Sequence, residues 1–317
     1  MKIAILGAGA MGCLYASFLV RTHEVTLIDS YKPQVEKINR DGITKVNHNK
    51  SEETFYAKAA LSGSDLGIQD LVIVFVKGIH TYDAMKNNPS LIGSETIVMT
   101  LQNGAGNNRD IADFVKKEKI IVGTSSHNSV SMDLGKFYHS GCGPTNIGPD
   151  LPCESSMLDV KKVYEAFLSC DIQVNVLDDI QKVLWQKLFV NCGINALSTL
   201  MQCSVGEVYT NPFLWELCTK LVYECVLVAE ADGTYFDRKE ALEIVKKVCV
   251  SDATGYASMY QDRQNKRLTE IDRINGVVTK LGQEYGVYTP NNSILVKQIH
   301  AIEQMYINGA NERTNIF

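Results

Sequence analysis

The sequence lacks any apolar run of about 18 residues, the length a membrane-spanning helix requires. It also lacks a CxxC pair. Its nine cysteines are odd in number and scattered, and Cys192, Cys218, Cys225 and Cys249 sit inside apolar helical stretches. That pattern excludes a disulfide framework and gives no metal site. It reads as buried thiols in a reducing compartment, hence the cytoplasm. Basic excess is absent too, since the formal charge is −5. Without a positive footprint no nucleic-acid partner is expected, and an anionic membrane surface is disfavoured. There is no internal repeat and no low-complexity tract. Residues 1–20 place a lysine before an Ala-rich run and so imitate a secretory leader. Three glycines at defined spacing break that run. It then continues into a second β-like segment with no polar cleavage region, so it is read as folded structure.

What is present begins with a glycine loop. Residues 2–6 form a short β-branched run, a buried parallel strand by pattern. Gly7-Ala8-Gly9-Ala10-Met11-Gly12 follows with GxGxxG spacing and opens a helix to about residue 21. Gly7 permits the tight turn, Gly9 lets the backbone approach a pyrophosphate, and Gly12 allows helix and strand to pack closely. The helix N-terminus then faces the anion. The spacing alone is common. Here it lies between a strand and a helix, and a second strand at 24–28 ends in Asp29, which is the context a dinucleotide site requires. An acid at that position accepts hydrogen bonds from the ribose 2′-hydroxyl and repels a 2′-phosphate. It can equally cap the next helix, near Ser30 and Pro33. No arginine follows it directly and Lys32 is the one nearby cation, so NAD is favoured over NADP.

Residues 41–69 read as irregular strands and loops. The run LVIVFV at 71–76 is a central parallel strand, with Lys77 and Gly78 at its carboxyl end, where open α/β sheets bind ligands. A further strand at 96–101 ends in Gln102-Asn103-Gly104-Ala105-Gly106, which puts Asn103 at another carboxyl end. Asn-Gly is also an ordinary turn, and the two readings are compatible. A strand follows at 120–123. The glycine-rich alternation at 135–148 predicts a hairpin at the sheet's edge. A helix at 154–169 and a strand at 172–176 complete this part. After Asp178 long helical periods dominate, with helices expected at 212–231, 238–250, 254–266, 270–285 and 292–307. The length suggests two domains. The expectation is an α/β protein. Residues 1–178 form a Rossmann-type doubly wound dinucleotide-binding sheet, and residues 179–317 an all-helical substrate and catalytic domain.

The second part opens on LWQKLFVNCGIN at 184–195, apolar nearly all round except at Lys187, Asn191 and Asn195. These are spaced i, i+4, i+8. Each step of four advances about 40° around a helix, so the three share one stripe. A helix apolar on its other faces is buried. A lysine and two amides there need partners or a task. The bland alternative is a lysine reaching back to solvent and two asparagines capping nearby loops.

With those residues in view, the chain resembles the ketopantoate reductase (2-dehydropantoate 2-reductase) family. The matching segments are KIAILGAGAMG, VFVK ending at Lys77, LQNG around Asn103, LWQKLFVNCGIN, ASMYQD around Ser258, and LTEIDRING around Glu270. The glycine segment is shared by many dehydrogenases. The K-x-x-x-N-x-x-x-N helix together with TEID-x-ING is far more specific. The resemblance implies a Rossmann domain and a helical domain with the active site in the cleft between them. It implies hydride transfer from a nicotinamide to the ketone of a 2-keto acid, giving the D/(R)-2-hydroxy acid. It makes Lys187 the proton donor to the ketone oxygen and Glu270 the group that helps hold substrate and lysine. Asn103, Asn191, Asn195 and Ser258 become substrate-binding. Gly7, Ala8, Gly9, Ala10, Met11, Gly12, Asp29, Lys77, Asn103 and Glu270 become cofactor-binding. Members that use NADP commonly carry a basic residue where this chain has Asp29, so the family's default cofactor NADP competes here with NAD.

The resemblance makes 2-dehydropantoate the expected substrate. Some NAD-dependent D-2-hydroxyacid dehydrogenases of the family act on branched or aromatic 2-keto acids and share the VTLID and SMYQD-type segments seen here. That is the second reading. A nicotinamide-binding sensor without turnover is the third, and the joint presence of Lys187 and Glu270 speaks against it. Long helices with apolar faces after residue 212 allow a homodimer and would equally fill a monomer's core.

Overall fold

The structure is a computed structural model that describes residues 1–314. It divides into two compact units, one of residues 1–102 and 107–180, the other of 103–106 and 181–317.

In the first unit an eight-stranded sheet is built from β1 (Lys2–Leu6), β2 (Glu24–Ile28), β5 (Lys58–Ala60), β6 (Leu71–Val74), β7 (Ile97–Thr100), β8 (Ile120–Ser125), β11 (Thr145–Pro149) and β12 (Val174–Val176). Their spatial order is β12-β11-β8-β7-β6-β1-β2-β5. The six strands from β5 to β8 are all parallel and follow the doubly wound order, which reverses between β1 and β6. β1, β6 and β7 are buried almost throughout, which is why they read as continuous apolar runs and not as alternation. Helices α1 (Ala10–Leu19), α2 (Lys32–Asp41), α3 (Thr81–Lys86), α4 (Asn107–Ala112) and α5 (Glu154–Leu168) connect the strands.

A second sheet, of four strands, has the order β4-β3-β10-β9. Its strands are β3 (Ile43–Val46), β4 (Glu52–Phe55), β9 (Asn128–Asp133) and β10 (Lys136–Gly141). This corrects the expected edge hairpin at 135–148. β9 and β10 do form a hairpin, but in this separate sheet, while β11 returns to the main sheet antiparallel to β8. Glycine-rich alternation marked strands here without saying which sheet each would join.

The second unit is helical: α6 (Ile180–Met201), α7 (Val205–Thr210), α8 (Pro212–Ala231), α9 (Arg238–Ser251), α10 (Ser258–Gln264), α11 (Asn275–Tyr285) and α12 (Pro290–Thr314). The helix expected at 270–285 is broken. A 3₁₀ turn at Ile271–Arg273 precedes α11, with Ile274 between them in a non-helical conformation. The core runs through Trp185, Leu188, Phe189, Cys192 and Ile194 of α6 and includes Cys218, Cys225 and Cys249. Fully burying a large apolar side chain such as Phe189 contributes about 1.5–3 kcal/mol.

Candidate active site

The glycine loop follows directly from β1. Gly7 has φ +104°, and a Cβ built there would lie 2.7 Å from the backbone nitrogen of Val76. The segment just past β6 therefore leaves no room for a side chain. A Cβ at Gly12 would lie 1.9 Å from the carbonyl oxygen of Gly7, so the helix sits against the loop only because that atom is missing. Gly9 is the opposite case. It is exposed, and a Cβ there would meet nothing within 4 Å. Gly9 is also the N-cap of α1 and brings no side-chain cap. The first-turn amides are thus unused by the helix and stand at its positive end, beneath an open approach. Two closed glycines and one open one fit a pyrophosphate resting on this turn.

Asp29 ties the loop to the end of β2. Its Oδ2 accepts from the Ala8 amide at 2.8 Å and its Oδ1 from the Tyr31 amide at 2.9 Å. The cap reading of Asp29 is half realised: it holds the turn before α2 and does not cap α2 itself, which starts at Lys32. Each carboxylate oxygen retains a lone pair for a further donor. Lys32 is exposed and faces Glu36 at 3.6 Å. Lys77 follows β6, half-buried.

In the second unit, α6 carries Lys187, Asn191 and Asn195 along one stripe. Lys187 and Asn191 are half-buried and Asn195 is buried. The protein packed around the ammonium lowers the Lys187 pKa from 10.5 to about 8, and the charge of Glu270 pulls it the other way. The two residues are therefore electrostatic neighbours. Even so, the ammonium remains the main form at neutral pH.

Three further segments are anchored to this helix or to one another. Arg263 of α10 donates to the carbonyls of Thr199 and Leu200, near the C-terminus of α6, where intrahelical donors run out. That fixes α10, on which Ser258 is the first residue and is exposed. Asn275, at the start of α11, is fully buried and donates to the Cys192 carbonyl of α6 at 3.1 Å. Just before it, the 3₁₀ turn presents the Arg273 carbonyl to the Ala105 amide at 2.9 Å. Gly104 has φ +80°, and a Cβ there would lie 2.1 Å from the same carbonyl oxygen. The Asn103–Gly106 loop, expected within the first domain, accordingly clusters with the second unit.

The Glu270 backbone is held from both sides. The Thr269 amide donates to Glu303 at 2.7 Å, and Thr269 Oγ1 accepts from the Ile271 amide at 3.2 Å. Sequence reasoning passed over the polar groups that brace α6. Asn275 also donates to Asn292 Oδ1 at 2.8 Å, and Asn292 donates to Glu224 Oε2 at 2.7 Å. Glu224 accepts as well from the amides of Asn291 and Asn292, satisfying the first turn of α12. One signal was available: Glu224 stands inside the apolar run LVYECVLVA, where a lone acid on a buried face needs partners.

Comparison with known proteins is consistent along the chain. The family described as Ketopantoate reductase PanE/ApbA matches residues 3–151, and its C-terminal counterpart matches residues 179–303. A 2-dehydropantoate 2-reductase of Streptococcus pyogenes serotype M3 is 29% identical over 307 residues, covering 96% of this chain and 98% of its own. The 2-dehydropantoate 2-reductase of Lactococcus lactis subsp. lactis is 30% identical, covering 96% and 99%. Among solved structures, a ternary complex of D-mandelate dehydrogenase with NADH and anilino(oxo)acetate superposes with a TM-score of 0.90. It is 29% identical and covers 96% of this chain and 99% of that one.

Proposed function

The chain belongs to the ketopantoate reductase family, and on that premise we propose that it reduces 2-dehydropantoate to pantoate with a reduced nicotinamide dinucleotide, Lys187 acting as general acid. The observation that carries this reading is a half-buried lysine with a pKa near 8 beside a carboxylate, on the stripe that also bears Asn191 and Asn195.

Residues 7–12, Asp29 and Lys77 would hold the dinucleotide, and Asn103 and Glu270 are the further cofactor contacts that the family resemblance implies. When bound, it supplies a hydride to the carbonyl carbon of the keto acid. Negative charge then grows on the ketone oxygen. The Lys187 ammonium stabilises that charge and transfers a proton from Nζ to the oxygen, completing the hydroxyl. Glu270 keeps the lysine charged against the desolvation around it. Asn103, Asn191, Asn195 and Ser258 orient the acid by hydrogen bonds and do not titrate.

Asp29 supports NAD as the cofactor. Its charge stands at the end of β2, and Lys32, the nearest cation in sequence, is engaged by Glu36. The D-mandelate dehydrogenase neighbour, solved with NADH, points the same way and raises a second substrate reading, a branched or aromatic 2-keto acid. The free, mostly buried cysteines fit a reducing compartment, which supports the cytoplasm. No helix among the described residues is long and apolar enough to cross a membrane.

The test is a panel of 2-keto acids assayed with NADH and with NADPH. Ketopantoate should give the highest kcat/KM. A higher value for 2-ketoisocaproate or phenylglyoxylate would move the assignment to the second reading.

A further inference from the structure

Three side chains at the base of the β9–β10 hairpin take no part in the proposed reduction. His127 lies in the link from β8 to β9, His139 is on β10, and Cys142 lies just beyond β10. Nε2 of His139 is 3.1 Å from Nδ1 of His127 and 3.6 Å from Sγ of Cys142. One donor atom from each residue lies within 4.8 Å of the other two. An imidazole nitrogen has either one lone pair or one N–H, so His139 Nε2 can serve only one of these two neighbours by hydrogen bonding. Three ligand atoms converge where a hydrogen bond uses two.

Two of the three spacings match a coordination sphere, and the third lies within 4.8 Å. Around tetrahedral zinc, bonds near 2.0–2.1 Å to nitrogen and 2.3 Å to sulfur put neighbouring nitrogens about 3.3 Å apart, and nitrogen about 3.6 Å from sulfur. The two distances at His139 fall close to those values. Packing fixes the ring orientations. Phe18 of α1 lies against both imidazoles, with centroids 5.5 Å from His127 and 6.0 Å from His139, and Tyr15 meets His127 edge-on at 6.1 Å. The His127 amide donates to Ser125 Oγ at 3.1 Å, which holds the link itself. His139 is buried and Cys142 exposed, so the group has a packed floor and an open side.

We propose that His127, His139 and Cys142 form a three-ligand site for a divalent transition metal of borderline softness, zinc in the first place. Two imidazoles and a thiolate select zinc over magnesium or calcium, which take oxygen ligands. Cys142 binds as the thiolate and releases its proton to solvent, and water completes the coordination on the exposed side. The metal would staple the 126–127 link to the end of β10. It would also stiffen a hairpin whose Ser129 donates to the Ala10 carbonyl of the glycine-loop helix at 3.0 Å. A search for cysteine pairs passes over this arrangement, because a hairpin assembles it from H-x₁₁-H-x₂-C.

The test uses the full-length protein, stripped with a chelator and titrated with cobalt(II) as the spectroscopic probe. One cobalt per chain should bind, with the visible bands of a tetrahedral ion and a thiolate charge-transfer band. Cys142→Ser should abolish the charge-transfer band, and both it and His127→Gln should weaken binding at least tenfold. Cys153→Ser, at a half-buried thiol outside the group, should change nothing. Circular dichroism of each variant checks its fold, and exposed Cys142 decides the matter if His127→Gln does not fold. Absence of binding at millimolar cobalt, or a charge-transfer band that survives Cys142→Ser, would overturn the site.

Discussion

The carboxylate of Glu270 opposes the desolvation that lowers the pKa of Lys187 to about 8. Replacing Glu270 with Gln removes that opposition and leaves the desolvation, so the lysine's pKa falls further. With Lys187 as the proposed general acid, reduction draws on its protonated form and should be lost as pH rises through that pKa. The alkaline limb of kcat/KM for reduction should lie near pH 8 in the native enzyme and move to lower pH in Glu270→Gln. A limb that stays in place would separate the two residues functionally.

Gly9 and Gly12 should respond to the same substitution in different ways. Gly12→Ala puts a methyl 1.9 Å from the Gly7 carbonyl oxygen and should cost about 1–3 kcal/mol or more of stability. Gly9→Ala meets nothing and should fold normally, with a cost within about 1 kcal/mol. Its dinucleotide affinity should nevertheless fall about tenfold, because the methyl fills the approach to the helix turn. Urea midpoints and cofactor titrations read the two effects separately. Native-like dinucleotide affinity in Gly9→Ala would contradict the assigned role of the loop.

Cofactor choice rests on Asp29. The native enzyme should prefer NADH, and Asp29→Ala should narrow the ratio of kcat/KM for NADH over NADPH by about tenfold. Affinity for NADH should also weaken, since the Ala8 and Tyr31 amides lose their acceptor. A native preference for NADPH would refute the assignment.

Asn275 positions α6 without lying on the polar stripe. Asn275→Ala leaves Asn292 Oδ1 without its donor in the interior and removes the second bond to the Cys192 carbonyl, which keeps its place in the α6 ladder; the change should cost about 1–3 kcal/mol in equilibrium unfolding. If the brace also places the stripe, kcat should fall while the KM for the dinucleotide holds. Equal stability of the variant and native proteins would remove Asn275 from this role.

These residues also mark how far the sequence could be read. The glycine loop and the strands around it were legible because buried parallel strands are continuous apolar runs and Gly7 and Gly12 have packing reasons. The stripe on α6 was legible because Lys187, Asn191 and Asn195 interrupt an otherwise apolar helix. The second sheet was not, because β4 is largely exposed and β3 gains its partner β10 only from far along the chain. Nor could spacing bring Glu270 to Lys187; the family resemblance suggested it, and helix periodicity ran straight over the 3₁₀ turn that follows Glu270. The brace through Asn275, Asn292 and Glu224 joins three helices, and such contacts leave only a local trace, a polar residue on a buried face.

The central claim is that Lys187 delivers the proton in reduction of a 2-keto acid. The most direct measurement is kcat of the native enzyme and of Lys187→Ala with saturating ketopantoate, followed by loss of the reduced nicotinamide absorbance. The expected result is steady turnover by the native enzyme and a fall of about 10²-fold or more in the variant, with dinucleotide binding retained. A kcat for Lys187→Ala close to the native value would contradict the account.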